Sequence, residues 1–176
     1  MSCPPLYRRV LGRQFDALPA ALRRFHDAAG GGRAQGTFRV DRAVGRLRNA
    51  LASLMGLPKS GSDVPVHLQV VVEGERERWI RDFHGHRVET VAWAWRDFLM
   101  ESLGWTSFAS ALVLDGSRLR YEFRRAWYAG IPIPRRLSPS VESYVDAGDA
   151  GWRVVVGISV PFLGELVRYE GWIEPG

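Results

Sequence analysis

The sequence predicts an α+β fold in which two N-terminal helices pack on a large, curved, half-barrel-like antiparallel β-sheet. Apolar residues recur at helical spacing up to about residue 60 and at every second position from residue 64 onward. Turn signals separate the alternating segments at short intervals, which is typical of antiparallel sheets. The chain has 176 residues, the usual size of one domain, so residues 1–176 are assigned to a single domain.

The first helix is expected between Asp16, which can cap its N-terminus, and the glycine run at 30–32. Its apolar residues Leu18, Leu22 and Phe25 recur at helical spacing. The glycines follow a helix and precede a strand, whereas a dinucleotide-binding fingerprint needs a strand, a glycine turn and then a helix. The glycine run is therefore interpreted as a helix stop.

A short strand over residues 36–40 leads to the second helix, which Asp41 can cap. Gly56 and Pro58 are expected to end this helix. Its apolar stripe consists of Val44, Leu47, Leu51, Leu54 and Met55.

The alternating part of the chain contains nine candidate segments and indicates about eight antiparallel strands. The alternating segments lie at 66–73, 79–83, 91–95, 108–114, 119–123, 126–131, 141–146, 152–160 and 165–173. Asp115 and Gly116 form a strong hairpin signal. The stretch 92–103 is assigned to strand, but the spacing of Trp95, Phe98, Leu99 and Leu103 also fits a helix of about three turns.

A large antiparallel sheet twists and curls, and its apolar face needs a cover. The two helices are expected to supply that cover and to leave a cavity between helices and sheet.

Composition excludes several classes of protein. The single Cys3 cannot form an internal disulfide, the N-terminus lacks the apolar core of a secretion signal, and no apolar run approaches the ~18 residues of a membrane span. A cytoplasmic location is therefore expected. The net charge is +5, but the arginines are scattered in ones and twos, so no specific nucleic-acid binding is expected.

The triplet His84-Gly85-His86 is the one motif that suggests a metal. Further Cys, His or paired carboxylate ligands at suitable spacing are missing from the sequence around it. The triplet lies between two expected strands and is interpreted as a hairpin turn, so no metal and no cofactor are predicted.

The chain resembles the bacterial family called domain of unknown function 4166, over nearly its whole length. The residues that carry the likeness are Leu6–Gly12, Phe15–Pro19, Leu22–Asp27, Gly36–Val40, Glu77–Phe83, Leu119–Tyr121, Ile131–Pro134 and Val167–Pro175. The family has no established activity. Its members often look like C-terminal extensions of saccharopine-dehydrogenase-like reductases, so the resemblance implies a separate reductase as a partner.

The candidate site lies between the first helix and the concave face of the sheet. Polar groups in apolar surroundings must be satisfied by a partner or by a ligand. His26, Arg168 and Tyr169 are the candidate catalytic residues, with His26 as the proton carrier. The candidate ligand-binding residues are Trp79, Arg81, Trp93, Trp95, Trp127, Tyr128 and Trp172. Alternative structural roles are a helix-end hydrogen bond for His26 and ion pairs with Glu77, Asp82 or Glu170 for the arginines.

Three functions are compatible with such a cavity. The first is the binding of a small apolar or aromatic molecule. The second is a cofactor-independent cyclase, isomerase or dehydratase that uses the same cavity. The third, which rests on the family resemblance, is an accessory subunit of a reductase.

Overall fold

The computed structural model describes residues 4–148 and 150–176, so Cys3 lies outside the described residues. Over these residues the chain forms three short α-helices, one 3₁₀ helix and eleven strands in a single antiparallel sheet. The strands are β1 (Arg33–Arg42), β2 (Gly61–Glu73), β3 (Arg76–Phe83), β4 (His86–Trp95), β5 (Phe98–Leu103), β6 (Thr106–Asp115), β7 (Arg118–Tyr128), β8 (Ile131–Pro132), β9 (Ser140–Ala147), β10 (Trp152–Val160) and β11 (Gly164–Pro175).

Ten of the strands close into a barrel, so the expected α+β half-barrel is wrong. The first and last strands, β1 and β11, pair from Ala34↔Pro175 to Arg42↔Val167. The β6–β7 hairpin closes the remaining edge, while the short β8 only extends β7. Closure satisfies the backbone groups that an open sheet would leave at its edges. The sheet therefore encloses its own core and does not depend on the helices as a second layer.

The helical part of the chain also differs from the expectation. The α-helices are α1 (Leu6–Leu11), α2 (Ala20–Asp27) and α3 (Arg46–Leu54), and a 3₁₀ helix (Gly12–Ala17) joins the first two. Pro19 occupies the position before α2, where its fixed φ and missing N–H are tolerated. The helix therefore begins after Pro19 and not at Asp16.

The second expected helix, α3, is shorter than predicted and is mostly exposed. Strand β1 continues to Arg42, and α3 begins only at Arg46. Ala52 is its one buried residue, with Leu51 and Met55 packed against the core. Leu47 and Leu54, assigned to the buried stripe from their spacing, are exposed.

The strand assignments after residue 64 are confirmed except at 126–131, which is not a strand of its own, because β7 continues to Tyr128 and the chain turns before β8. Asp115 and Gly116 form the β6–β7 turn, and 152–175 forms the last hairpin. The triplet at 84–86 turns β3 into β4, and 92–103 belongs to β4 and β5 rather than to a helix. The short helices lack the length and apolar content needed to cross a membrane.

Because the strands alternate in direction, their connections lie alternately at the two ends of the barrel, and different helices lie at each end. Helices α1 and α2 lie at one end, which we call the capped end. Arg9 on α1 donates to the backbone carbonyl of Glu75 in the β2–β3 turn, and the Phe25 ring lies 5.0 Å from that of Trp152 at the start of β10. Helix α3 lies at the opposite end, which we call the α3 end; its neighbour Ala43 donates to the Leu166 carbonyl.

Candidate functional site

Polar side chains are concentrated inside the barrel near the helical cap. The register of β3 places Glu77, Trp79, Arg81 and Phe83 on one face, and Trp79 and Phe83 are buried in the core. Residues that face each other across paired strands point to the same side of a sheet. The interior polar cluster consists of Tyr7, His26, Glu77, Trp79, Arg81, Thr90, Glu101, Tyr121 and Tyr169.

Arg81 is the one cation of this cluster. Its Nη1 donates to Thr90 Oγ1 at 2.9 Å, and its Nη2 lies 3.7 Å from Glu101 Oε1. Its guanidinium carbon also lies 5.2 Å from the centre of the Trp79 ring. Arg81 therefore has a hydrogen bond, a loose ion pair and an aromatic face, and its fork of donors is not saturated by a bidentate carboxylate.

The helical cap contributes two rings to the interior. The Tyr7 ring of α1 stacks on the His26 ring of α2, with centroids 3.5 Å apart. The Tyr7 hydroxyl is 3.0 Å from that of Tyr121 on β7, so one of the two donates to the other. A hydrogen bond and a stack thus tie both N-terminal helices to the barrel wall.

Glu77 lies nearest the capped end and is buried. Its Oε2 accepts the indole N–H of Trp79 at 3.1 Å, and the backbone of Leu6 also donates to it. Burial raises the pKa of Glu77 above the usual range, and these hydrogen bonds oppose the increase.

Burial shifts the pKa of most titratable groups in the cluster toward the neutral form. It lowers the pKa of His26 to about 3, so the imidazole is uncharged at neutral pH. Burial raises the pKa of Glu101, against the opposing effect of Arg81. It also raises the phenol pKa values of Tyr7, Tyr121 and Tyr169. The cluster is thus a weakly charged, hydrogen-bonding lining.

The barrel interior contains space that a water molecule can reach beside Arg81 and Glu101. Inside the closed wall, the side chains of Arg81 and Glu101 keep 23% and 17% of their accessible surface. Several apolar or small side chains on the inward face, at mid-height or toward the α3 end, are only half-buried: Val88, Leu103, Phe108, Phe123, Ser143, Val156 and Ile158. The interior is therefore polar at its centre and apolar toward the α3 end.

The wall beside this space is split. Strand β7 pairs with β9 only from Arg118 to Glu122, and its continuation pairs with β8 instead. A groove of about 940 Å³ lies along this part of β7, between Trp95, Phe98 and Trp127 on one side and Pro132–Arg135 with Ser138–Ser140 on the other. Phe123 faces inward opposite Ser110 and also lines this groove, so the groove borders the half-buried interior at the split.

The structure distributes the predicted site residues over three places. His26, Trp79, Arg81 and Tyr169 belong to the interior cluster. Trp95 and Trp127 line the groove, and Tyr128 is exposed at the α3 end of β7. Trp93, Arg168 and Trp172 are half-buried or exposed on the outer wall, where the Arg76 guanidinium lies over the Trp93 ring.

Arg168 is not brought together with His26. Its neighbour in register is Asp41 on β1, and its side chain donates to Glu142 at 2.7 Å and to Glu165 at 3.1 Å. These partners differ from the ones considered from the sequence, as do Thr90 and Glu101 for Arg81. Arg168 belongs to an outer ion-pair network and not to the cavity.

Five interior residues have no place among the predicted site residues: Tyr7, Glu77, Thr90, Glu101 and Tyr121. Glu101 follows the apolar run 98–100 and is inward-facing, so the reasoning that selected Arg81 could have selected it. Tyr7 gives no such signal, because its helix is only six residues long.

The chain belongs to the family described as domain of unknown function (DUF4166), whose model matches residues 18–173. No curated protein matches the chain. Among solved structures, a heat-soluble SAHS protein from Ramazzottius varieornatus aligns with 82% of this chain and 93% of its own, at 12% identity and a TM-score of 0.43. That likeness is too low to support a conclusion, so the barrel assignment rests on the strand pairing.

Proposed function

We propose that the barrel binds a small, largely apolar or aromatic molecule in its interior, with a polar group of that molecule facing Arg81. The observation that carries the proposal is the Arg81–Glu101 pair, which keeps accessible surface inside a closed wall. Small-molecule sites usually consist of an apolar lining with a few polar groups. The apolar contacts hold the ligand, and the polar groups orient it.

The enzyme alternative is less well supported by the same geometry. It requires His26 to exchange a proton near neutral pH, while burial holds the pKa of this imidazole at about 3. It also requires Arg168 to stabilise negative charge, and this side chain lies outside with two carboxylates. Binding needs neither group to react.

Filling the interior space tests the proposal. Ser143 is half-buried on the inward face, between Tyr121 on β7 and Val156 on β10. The Ser143→Phe variant should lower the affinity for the neutral fluorescent probe N-phenyl-1-naphthylamine roughly tenfold or more, because the new ring occupies the space. Probe fluorescence titrated against protein measures this change.

Ser107→Phe is the matched control. Ser107 faces Ser102 and Trp127 on the outer wall and is also half-buried. The affinity of the Ser107→Phe variant for the probe should equal that of the wild type. Equal affinity in the Ser143→Phe variant, with an unchanged melting temperature, would contradict interior binding.

A further inference from the structure

Large apolar side chains are exposed mainly at the α3 end of the barrel. Antiparallel topology places the connections β1–β2, β3–β4, β5–β6, β7–β9 and β10–β11 at this end. The exposed residues are Val44, Leu47, Leu54, Trp105, Tyr128, Ile131, Leu137 and Phe162. We call segments 43–60, 104–105, 124–141 and 161–164, which contain them, the α3-end rim.

The same rim is strongly basic. Arg46, Arg48 and Lys59 lie in its first segment, and its third contains two arginine pairs, Arg124-Arg125 and Arg135-Arg136, while none of its segments contains Asp or Glu. The turns at the capped end carry both signs instead, with Glu75 between β2 and β3 and Arg96 beside Asp97 between β4 and β5. The net charge of the chain is thus unevenly distributed, with a cationic rim at one end.

Phe162 is exposed on the rim in a backbone conformation that is unfavourable for a bulky residue. It is 92% exposed and has a φ of 67°, in the left-handed region that bulky residues rarely adopt. A glycine or asparagine would suit this turn better, and the phenyl ring gains no burial within the chain. A residue that is costly in the free chain is expected where a partner buries it.

The arrangement of the apolar residues indicates the kind of partner. Leu54 is 85% exposed, Trp105 76% and Ile131 70%, each on a different connection. They form separate projections around the barrel mouth and not one groove. A fluid lipid interface accommodates such projections, since Trp and Tyr settle at the headgroup level and arginines attract anionic lipids.

We propose that the α3-end rim docks this protein on anionic lipid bilayers, with Leu54, Trp105 and Phe162 inserted into the interface. The basic residues of the rim favour a negatively charged partner. The exposed apolar side chains favour a lipid bilayer over nucleic acid, because phosphates would not bury these side chains. Docking is independent of ligand binding in the interior. It would also place the split between β7 and β9 next to the membrane, a source of apolar molecules.

Co-sedimentation with vesicles tests the proposal on the full chain. The wild type should pellet with vesicles of phosphatidylcholine mixed with phosphatidylglycerol, and much less with phosphatidylcholine alone or in high salt. The triple variant Leu54→Ser, Trp105→Ser and Phe162→Ser should lose at least roughly tenfold in affinity for the mixed vesicles. Arg135→Ser with Arg136→Ser should weaken the binding by about tenfold and reduce its salt dependence, because two of the seven basic residues of the rim are removed.

Trp172→Ser is the matched control, since Trp172 is 42% exposed on the outer wall of β11 and outside the rim. This variant should pellet like the wild type, and Ser143→Phe should as well, which separates docking from interior binding. Failure of the wild type to bind either vesicle would overturn the proposal. Undiminished binding by a folded triple variant, or salt-resistant binding to duplex DNA instead of vesicles, would overturn it too.

Discussion

His26 illustrates how the interior changes the properties of a single residue. The neutral imidazole stacks on Tyr7, and its ring centre lies 5.7 Å from that of Trp79. It therefore packs as an aromatic ring among others, and adding a proton would place a charge in surroundings that burial makes unfavourable. The stability of the cap should for this reason depend on pH.

We predict that the free energy of unfolding decreases as the pH falls from about 6.5 toward 3. The folded pKa of His26, about 3, lies below its unfolded value of 6.5, so the unfolded state binds more protons in this window. The loss amounts to as much as about 4–5 kcal/mol. The raised pKa values of Glu77 and Glu101 partly offset it, since these carboxyls favour the folded state in acid.

Denaturant unfolding at several pH values measures this dependence. His26→Gln should flatten the profile, and His67→Gln, which changes an exposed histidine on β2, should leave it unchanged. A His26→Gln profile as steep as that of the wild type would show that another group causes the loss.

Single residues also show what the sequence could and could not indicate about the site. Arg81 was selected because it lies between Trp79 and Phe83, and the register of β3 does place all three inside. The same reasoning selected Arg168, although inward Val167 and Tyr169 leave it outside. Its partner Glu142 is 26 residues away on another strand, so spacing along the chain could not reveal it.

At the scale of elements, the strands and hairpins were predictable but their closure was not. The period of two and the turn residues are local, and they located β10 and β11. Closure depends on β1 meeting β11 and β7 meeting β9, contacts between segments far apart in the chain. The predicted burial of the apolar stripe of α3 was wrong for a similar reason. A closed barrel buries its own apolar face, so Leu47 and Leu54 have no surface to cover.

The capping helices are tied to the barrel through Tyr7, so changes there should separate hydrogen bonding from packing. Tyr7→Phe should cost about 1 kcal/mol by removing the hydroxyl pair with Tyr121. Tyr7→Ala should cost about 3–5 kcal/mol, since it also removes a buried ring stacked on His26. Thermal unfolding measures both changes, and equal losses in the two variants would mean that the ring contributes nothing beyond its hydroxyl.

At the scale of the whole molecule, the two ends of the barrel have different properties. The capped end is filled by α1 and α2, and its cluster holds the inward polar groups. The α3 end carries the half-buried interior residues, the split between β7 and β9 and the basic apolar rim. The split wall and the proposed docking rim thus lie at the same end of the barrel.

The central claim is that the interior holds a small molecule, and native mass spectrometry of protein purified from its own source tests it most directly. The wild type should carry one small-molecule adduct per chain, released on unfolding, and Ser143→Phe from the same source should lack it. A wild-type mass equal to that of the bare chain, or an adduct that persists undiminished in Ser143→Phe, would contradict the account.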